Sequence, residues 1–243
     1  MMAGRPHDRT AFCPPAGGVG LATAATVPAV DSGDDAAVIR RAYDTVATDY
    51  ARLLRDALAA SPYDRAVLAA FADVVLGDGG GPVADVGCGP GRIAAHLSGL
   101  GVDVHGIDLS PAMIDVARAE YPGLRFEIGS MTELTFPEAS LSGVVAWYSI
   151  IHLARSVVPS VFDGFRRALR PGGRLLLAFQ VGDECVHISQ GYGHEVELRA
   201  YRWRPDRVVE LLAAAGFVVE ARLIREPDAT EKTEQAYLVA RRA

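Results

Sequence analysis

The stretch from residue 83 to residue 110, VADVGCGPGRIAAHLSGLGVDVHGIDLS, limits most strongly what this chain can fold into. It opens with a short apolar run that carries Asp85, followed by a glycine-rich segment at 87–91 and a helical pattern. A second apolar run, 102–107, ends at another acid, Asp108. Glycine lets the backbone take a positive φ or approach a ligand closely. The stretch therefore predicts a strand, a tight turn, a helix and a second strand.

The two acids and the turn indicate a site for a nucleoside cofactor. An acid at the carboxyl end of the second strand is placed to bind two vicinal ribose hydroxyls. In the dinucleotide fingerprint G-x-G-x-x-G, the third glycine packs the helix against the strand. Here Gly91 comes one position early, and Arg92 stands where that glycine would be. The spacing disfavours a dinucleotide, although a glycine turn in an NAD-type fold remains an alternative.

The segment Gly87-Cys88-Gly89-Pro90-Gly91, with Asp85 two residues before it, resembles the first motif of class I S-adenosylmethionine (SAM)-dependent methyltransferases. The resemblance implies that this loop lies beside the methionine end of SAM and that Asp108 binds the ribose. It further implies that the adenine is flanked by Leu109 and Met113. The implied cofactor-binding residues of the loop are Asp85, Gly87, Cys88, Gly89 and Gly91.

Strand and helix patterns alternate through most of the chain. Apolar runs at 83–86, 102–107, 124–128, 143–147 and 174–181 are separated by helical patterns, which is typical of a parallel, doubly wound α/β sheet. Two further runs, 217–223 and 236–240, have only a loop between them and must be antiparallel. We predict a seven-stranded, mostly parallel, Rossmann-like sheet whose last strand is antiparallel, the layout of the class I methyltransferases over residues 36–242.

The sequence predicts one domain over residues 34–243, with a helical N-terminal cap at 34–80 and a substrate-side insertion at 183–203. Residues 1–33, rich in Ala, Gly, Pro and Thr, are predicted to be a disordered leader. The net charge is −6 without a dense Lys/Arg run, which disfavours nucleic acid as a partner. No apolar run approaches the roughly 20 residues of a membrane helix. Three scattered cysteines favour a reducing, cytoplasmic setting, and the oligomeric state is not predicted.

The resemblance implies further cofactor contacts after the third and fourth strands. Ser130 stands where many family members have an acid that binds the adenine amino group, and Met131 would cover the ring. A serine that caps a turn is the alternative for Ser130. Trp147 and Tyr148 would lie under the sulfonium, because aromatic faces attract a cation. Core packing is the alternative for Trp147.

Tyr43 and Tyr50 are seven residues apart, so a continuous helix places both on one face. The segment resembles the tyrosine-containing helix that small-molecule methyltransferases place over the cofactor. The resemblance implies that Tyr43 and Tyr50 contact the methionine carboxylate or the acceptor. A stripe of packing tyrosines would give the same pattern.

Three histidines are candidates for acid–base catalysis, because histidine titrates near neutral pH. His152 follows the fourth strand, where ligands meet the carboxyl edge of the sheet. His187 and His194 lie with Tyr192 in a segment that is too long for an ordinary connection, and long loops at this edge are often functional. We expect these residues, with Tyr50 and Tyr148, to contact the acceptor; a solvated loop with incidental histidines is the alternative.

The resemblance implies a SAM-dependent methyltransferase that forms S-adenosylhomocysteine (SAH) and acts on a small molecule. Residues 148–152 contain no carboxylate, unlike the corresponding segment of metal-dependent catechol enzymes, and the signatures of DNA methyltransferases are absent from the sequence. Metal-independent O-methylation is expected first and N-methylation second. Two alternatives remain, a SAM-binding protein with regulatory or other sulfonium chemistry, and an NAD(P)-binding oxidoreductase.

Overall fold

The structure is a computed structural model that describes residues 32–243. The predicted leader, including Cys13, lies outside the described residues except for positions 32 and 33, which begin the first helix. The elements in chain order are α1 (Ser32–Leu54), α2 (Ala57–Ala60), α3 (Pro62–Gly77), β1 (Val83–Val86), α4 (Arg92–Gly99), β2 (Val104–Asp108), α5 (Pro111–Glu120), β3 (Arg125–Ile128), β4 (Leu141–Trp147), α6 (Val158–Ala168), β5 (Leu169–Gln180), β6 (Cys185–Gly191), β7 (His194–Tyr201), α7 (Pro205–Ala214), β8 (Phe217–Arg225) and β9 (Gln235–Arg242).

Seven strands form one sheet in the order β3-β2-β1-β4-β5-β9-β8. Strands β1 to β5 pair in parallel, and β9 is antiparallel to both β5 and β8. This arrangement confirms the predicted fold class, including the antiparallel last strand. The order reverses between β1 and β4, and open α/β sheets bind ligands in the crevice at such a point.

The sheet is covered on both faces, which explains why its central strands are apolar throughout. Every residue of β1 and β4 is buried, as expected for parallel strands between two helical layers. One buried cluster packs α6 and α7 against the sheet, and a second packs α3, α4 and α5 against the other face. Both layers therefore hold the carboxyl ends of β1, β2 and β4 in fixed positions.

Local sequence signals determine where α5, the helix that follows β2, begins. The Ser110 hydroxyl accepts from the Met113 amide at 3.1 Å, and Pro111 occupies the first turn of α5. Both features are typical of a helix start. After α6, Leu169 begins β5 and pairs with Leu141; helices usually end before a proline, and one stands at 171.

The segment predicted as a long substrate-side loop is an antiparallel hairpin of β6 and β7, so that expectation of irregular structure was wrong. Gly191 pairs with His194, which leaves a two-residue turn at Tyr192 and Gly193. Both turn residues have positive φ, 53° and 87°. Positive φ at both central positions matches the type I′ turn that right-twisted hairpins prefer.

Candidate active site

A cavity of about 570 Å³ lies at the carboxyl edge of the sheet and reaches under α1. Its walls come from the glycine turn, the segments after β2, β3 and β4, and one face of α1. The predicted residues that line it are Tyr43, Tyr50, Asp85, Gly87, Cys88, Gly89, Asp108, Leu109, Ser130, Met131, Trp147, Tyr148 and His152. The structure thus brings most of the predicted site together around one cavity.

Two glycines of the turn are required for close packing. Gly87 has φ +77°, and a Cβ there would lie 2.3 Å from the Ser149 Cβ. Gly91 has φ +82°, and its Cβ would lie 2.6 Å from the Phe126 ring. Gly91 does not line the cavity; it lets the start of α4 pack against β3 and α5. We therefore assign Gly91 a packing role instead of the predicted contact with the cofactor.

Asp108 is held by backbone amides of the same motif. One carboxylate oxygen accepts from the Gly89 amide at 2.8 Å, and the other accepts from the Ser110 amide at 2.8 Å. Burial raises the pKa of Asp108, while these amide bonds oppose the rise. The carboxylate is therefore fixed at the end of β2 and oriented before any ligand arrives.

Asp85 is buried at the end of β1, where the Arg92 charge offsets only part of the cost of burying its carboxylate. Neither oxygen has a hydrogen-bond partner within residues 32–243. Burial raises its pKa to about 7; the Arg92 charge opposes this rise, and Asp108 adds to it. A buried acceptor without a partner is costly. The site therefore favours a ligand that brings a donor or a positive charge to Asp85.

Helix α1 is fixed over the cavity by Asp44. One carboxylate oxygen of Asp44 accepts from the Ser110 hydroxyl at 2.6 Å and from the Ala112 amide at 3.2 Å. These contacts join α1 to the start of α5. They place Tyr43 and Tyr50 on the cavity face, as predicted.

Tyr43 and His152 form a buried pair. The Tyr43 hydroxyl and His152 Nε2 are 2.6 Å apart, and His152 Nδ1 donates to the Arg199 carbonyl oxygen at 2.8 Å. Because a carbonyl only accepts, Nδ1 carries the proton of the neutral ring and Tyr43 donates to Nε2. Burial lowers the pKa of His152 and raises that of Tyr43. Both ring nitrogens of His152 are thus engaged by protein groups.

Two aromatic residues at the end of β4, Trp147 and Tyr148, line the cavity. Trp147 is 6% exposed and packs on Tyr237, with ring centroids 5.4 Å apart, so it both packs in the core and lines the cavity. Its indole nitrogen has no hydrogen-bond partner within the described chain. Tyr148 has φ +53°, a left-handed conformation that is unusual for a bulky side chain.

Four other predicted residues lie outside the cavity lining. Met113 is completely buried and packs against Val46 and Ala47 of α1, so it supports the cover rather than the adenine. On the hairpin, His187 is half exposed and pairs with Glu197. The other two, His194 and Tyr192, contact Asp49 and the Tyr50 ring, respectively.

Sequence reasoning missed several functional positions. In the sequence Arg92 only interrupts the dinucleotide fingerprint, yet in the structure it lines the cavity beside Asp85. Ser149 lines the cavity and donates to the Val86 carbonyl at 2.7 Å. An apolar part of the wall is formed by Ile39, Leu153, Ala154 and Val157. The apolar spacing of α1 could have indicated Ile39, but no local signal marks the segment after His152.

Within residues 32–243, no cluster of three or more His, Cys, Asp or Glu side chains could hold a metal ion. The helices of this same part of the chain include none with the length and apolar character needed to cross a membrane.

Comparison with known proteins agrees with this geometry. Residues 83–173 match the family model described as a methyltransferase domain. An O-methyltransferase of Penicillium expansum is 32% identical over 59% of this chain and 55% of its own length. Phosphoethanolamine N-methyltransferase 3 of Arabidopsis thaliana is 29% identical over 69% of this chain and 37% of its own length. The chain spans about half the length of the first curated relatives it matches.

A solved structure supports the fold along most of the chain. The 1,6-didemethyltoxoflavin-N1-methyltransferase of Burkholderia thailandensis, with 1,6-didemethyltoxoflavin and SAH bound, superposes with a TM-score of 0.66 at 22% identity. The match covers 90% of this chain and 93% of that chain. Fold and cavity define an α/β protein with a crevice at the switch point of its sheet. Residues 83–173 are thus similar to methyltransferase domains, and the fold along most of the chain is that of a SAM-dependent methyltransferase of known structure.

Proposed function

We propose that this protein transfers the methyl group of SAM to a small-molecule acceptor, with O-methylation favoured over N-methylation and no metal required. The observation that carries the proposal is the unpartnered Asp85 carboxylate beside the amide-held Asp108 carboxylate in one cavity. Asp85 needs a donor, and Asp108 is oriented at the position of a ribose-binding acid. SAM offers an ammonium group and two ribose hydroxyls.

Further contacts support this fit. The Trp147 indole nitrogen lacks a partner in the described part of the chain and needs an acceptor, which the methionine carboxylate would supply. The aromatic rings of Trp147 and Tyr148 suit a sulfonium cation. Leu109, Ser130 and Met131 are assigned to the adenine, since all three line the cavity near the ends of β2 and β3.

When bound, SAM supplies an electrophilic methyl group for in-line displacement, which chiefly demands alignment and exclusion of water. The Tyr43–His152 pair meets this demand by holding α1 over the cavity. Because both nitrogens of His152 are engaged, we assign His152 a positioning role rather than that of the base. The O-methyltransferase relative supports a hydroxyl acceptor, while the N-methyltransferase relative makes an amine the second candidate for the acceptor.

Thermal unfolding with SAH and with NAD tests the cofactor. A ligand that binds only the folded protein raises the midpoint, so we expect a rise with SAH and none with NAD. Incubation with SAM and a panel of phenols and amines should then release SAH only when an acceptor is present. A rise with NAD alone would contradict the proposal, and SAH binding without any methylated product would favour a SAM-binding protein with another function.

A further inference from the structure

A second, smaller cavity of about 140 Å³ adjoins the first. The two cavities share Tyr50, Arg92, Trp147 and Tyr148 as common walls. The smaller cavity extends past α3 to the loop between β8 and β9, and it contains Asp64. Tyr148 thus stands between the proposed SAM site and a carboxylate that sequence reasoning did not single out.

A chain of hydroxyl groups connects Tyr148 to that carboxylate. The hydroxyl oxygens of Tyr148 and Tyr237 are 3.5 Å apart, and the Tyr237 hydroxyl donates to Asp64 Oδ1 at 2.5 Å. Tyr237 also accepts from Arg225 Nε at 3.1 Å. Since the Tyr237 proton points to Asp64, the Tyr148 proton points to Tyr237. The Tyr148 oxygen is left as an acceptor for an incoming donor.

The surroundings of these hydroxyl groups determine the direction in which a proton moves along them. Arg225 forms a bidentate ion pair with Glu231, so its charge is already matched and it stays beside Tyr237. The ring of Tyr237 is 1% exposed, whereas Asp64 is only partly buried and lines the smaller cavity. A proton that reaches Asp64 can therefore pass to solvent.

The backbone of Tyr148 provides an independent indication of function. Its φ of +53° is costly for a side chain of this size. The strain is held by a hydrogen bond from the Tyr148 amide to the Ala178 carbonyl at 2.9 Å. Strained residues of this kind cluster at functional sites. Here the conformation directs Tyr148 to the boundary of the two cavities.

We propose that Tyr148 receives the proton of a hydroxyl acceptor and that Tyr237 and Asp64 pass it on. The acceptor oxygen bonds to the methyl carbon, and the sulfur leaves as a neutral thioether. The acceptor proton moves to Tyr148, the Tyr148 proton to Tyr237, and the Tyr237 proton to the Asp64 carboxylate. Tyr148 is the catalytic residue, and the other two are positioning residues. This inference rests on the proposed function.

The test places 3-fluorotyrosine at position 148 and records its ¹⁹F signal in the full chain. Tyr237→Phe and Asp64→Asn should each move the signal, and Asp64→Glu should restore it in part. Asp73→Asn, on the exposed side of the same helix α3, is the control and should leave it unmoved. Addition of phenol to the SAH-saturated protein should move the signal again, because the phenol hydroxyl donates to Tyr148.

Turnover of phenol to anisole is the second readout. Loss of a positioned proton acceptor typically costs about 10²-fold or more in rate, so kcat should fall by about that factor in Tyr237→Phe and Asp64→Asn. The affinity for SAH should change by less than about twofold, which is well below the tenfold change that 1.4 kcal/mol would produce. Unmoved ¹⁹F signals, no response to phenol, or unchanged kcat would each overturn the inference. Failure to bind SAH would instead overturn the proposed function.

Discussion

The floor and the cover of the cavity are built in different ways. The floor, formed by β1, the glycine turn, α4 and β2, depends on backbone conformation, with amides holding Asp108 and glycines allowing close packing. The cover consists of α1, which lines the cavity, and the β6–β7 hairpin, which packs on α1; it depends on side-chain contacts between distant segments, such as Tyr43 with His152. A floor of this kind is fixed before ligand binds, whereas the position of the cover depends on a few hydrogen bonds and on the packing of Val46 and Ala47 against Met113.

The largest effect is expected from Gly91→Ala in the floor. The new Cβ would lie 2.6 Å from the Phe126 ring at a backbone φ of +82°. Overpacking and strain together should lower the free energy of unfolding by about 2–4 kcal/mol. Urea unfolding measures this change. Gly99→Ala, where a Cβ meets nothing within 4 Å, is the matched control and should be neutral or stabilising.

Asp108→Ala should weaken SAH binding by about 10²-fold, because the hydrogen bonds of a charged group contribute about 1.5–3 kcal/mol. Calorimetric titration measures the affinity. Asp115→Asn, exposed on α5, is the control and should leave the affinity unchanged. Equal affinities in both variants would show that the ribose lies elsewhere and that the floor is not the cofactor site.

Asp85 makes the free energy of unfolding depend on pH. Its pKa is raised from 3.8 to about 7 in the folded protein, so the folded state holds more protons than the unfolded state between these values. Stability from this group is therefore complete below about pH 4 and lost as pH rises through 7. Asp85→Asn should flatten the decline between about pH 4 and pH 7 in urea unfolding. A decline of the same slope in the variant would assign it to other groups.

The smallest of these effects is expected in the cover. Tyr43→Phe removes one buried hydrogen bond, which should cost about 1 kcal/mol of stability. If this bond holds α1 closed, SAH should dissociate up to about tenfold faster, since 1.4 kcal/mol corresponds to a factor of ten. Stopped-flow displacement of SAH measures the rate. An unchanged dissociation rate would mean that α1 opens without breaking the Tyr43–His152 bond.

The difference between floor and cover also explains what the sequence could predict. The parallel strands of the sheet and the position of Asp108 follow from apolar runs and glycine spacing, which are local signals. Asp64 and Tyr237 are 173 positions apart, and nothing near either one indicates the other. Sequence reasoning expected an irregular loop at residues 183–203, although Tyr192 and Gly193 form a hairpin turn there. A tyrosine at the first turn position is not a usual turn signal.

For the three histidines, too, the position along the chain was predictable from the sequence, but the side-chain partners were not. His152 was correctly expected to reach the cavity, because its position after β4 fixes it there. Its partners Tyr43 and Arg199 come from the cover, so the occupation of both ring nitrogens was not predictable. His187 and His194 were grouped by proximity in sequence, yet the alternation of a β-hairpin directs their side chains to surface carboxylates.

A crystal structure of the complex with SAH would show directly whether this cavity binds the cofactor. We predict the ribose hydroxyls on Asp108, the ammonium group near Asp85 and the sulfur beside Tyr148, with α1 over the ligand. An empty cavity in crystals soaked with SAH, together with a nicotinamide dinucleotide bound along the 87–91 turn, would contradict the assignment of this cavity to SAM.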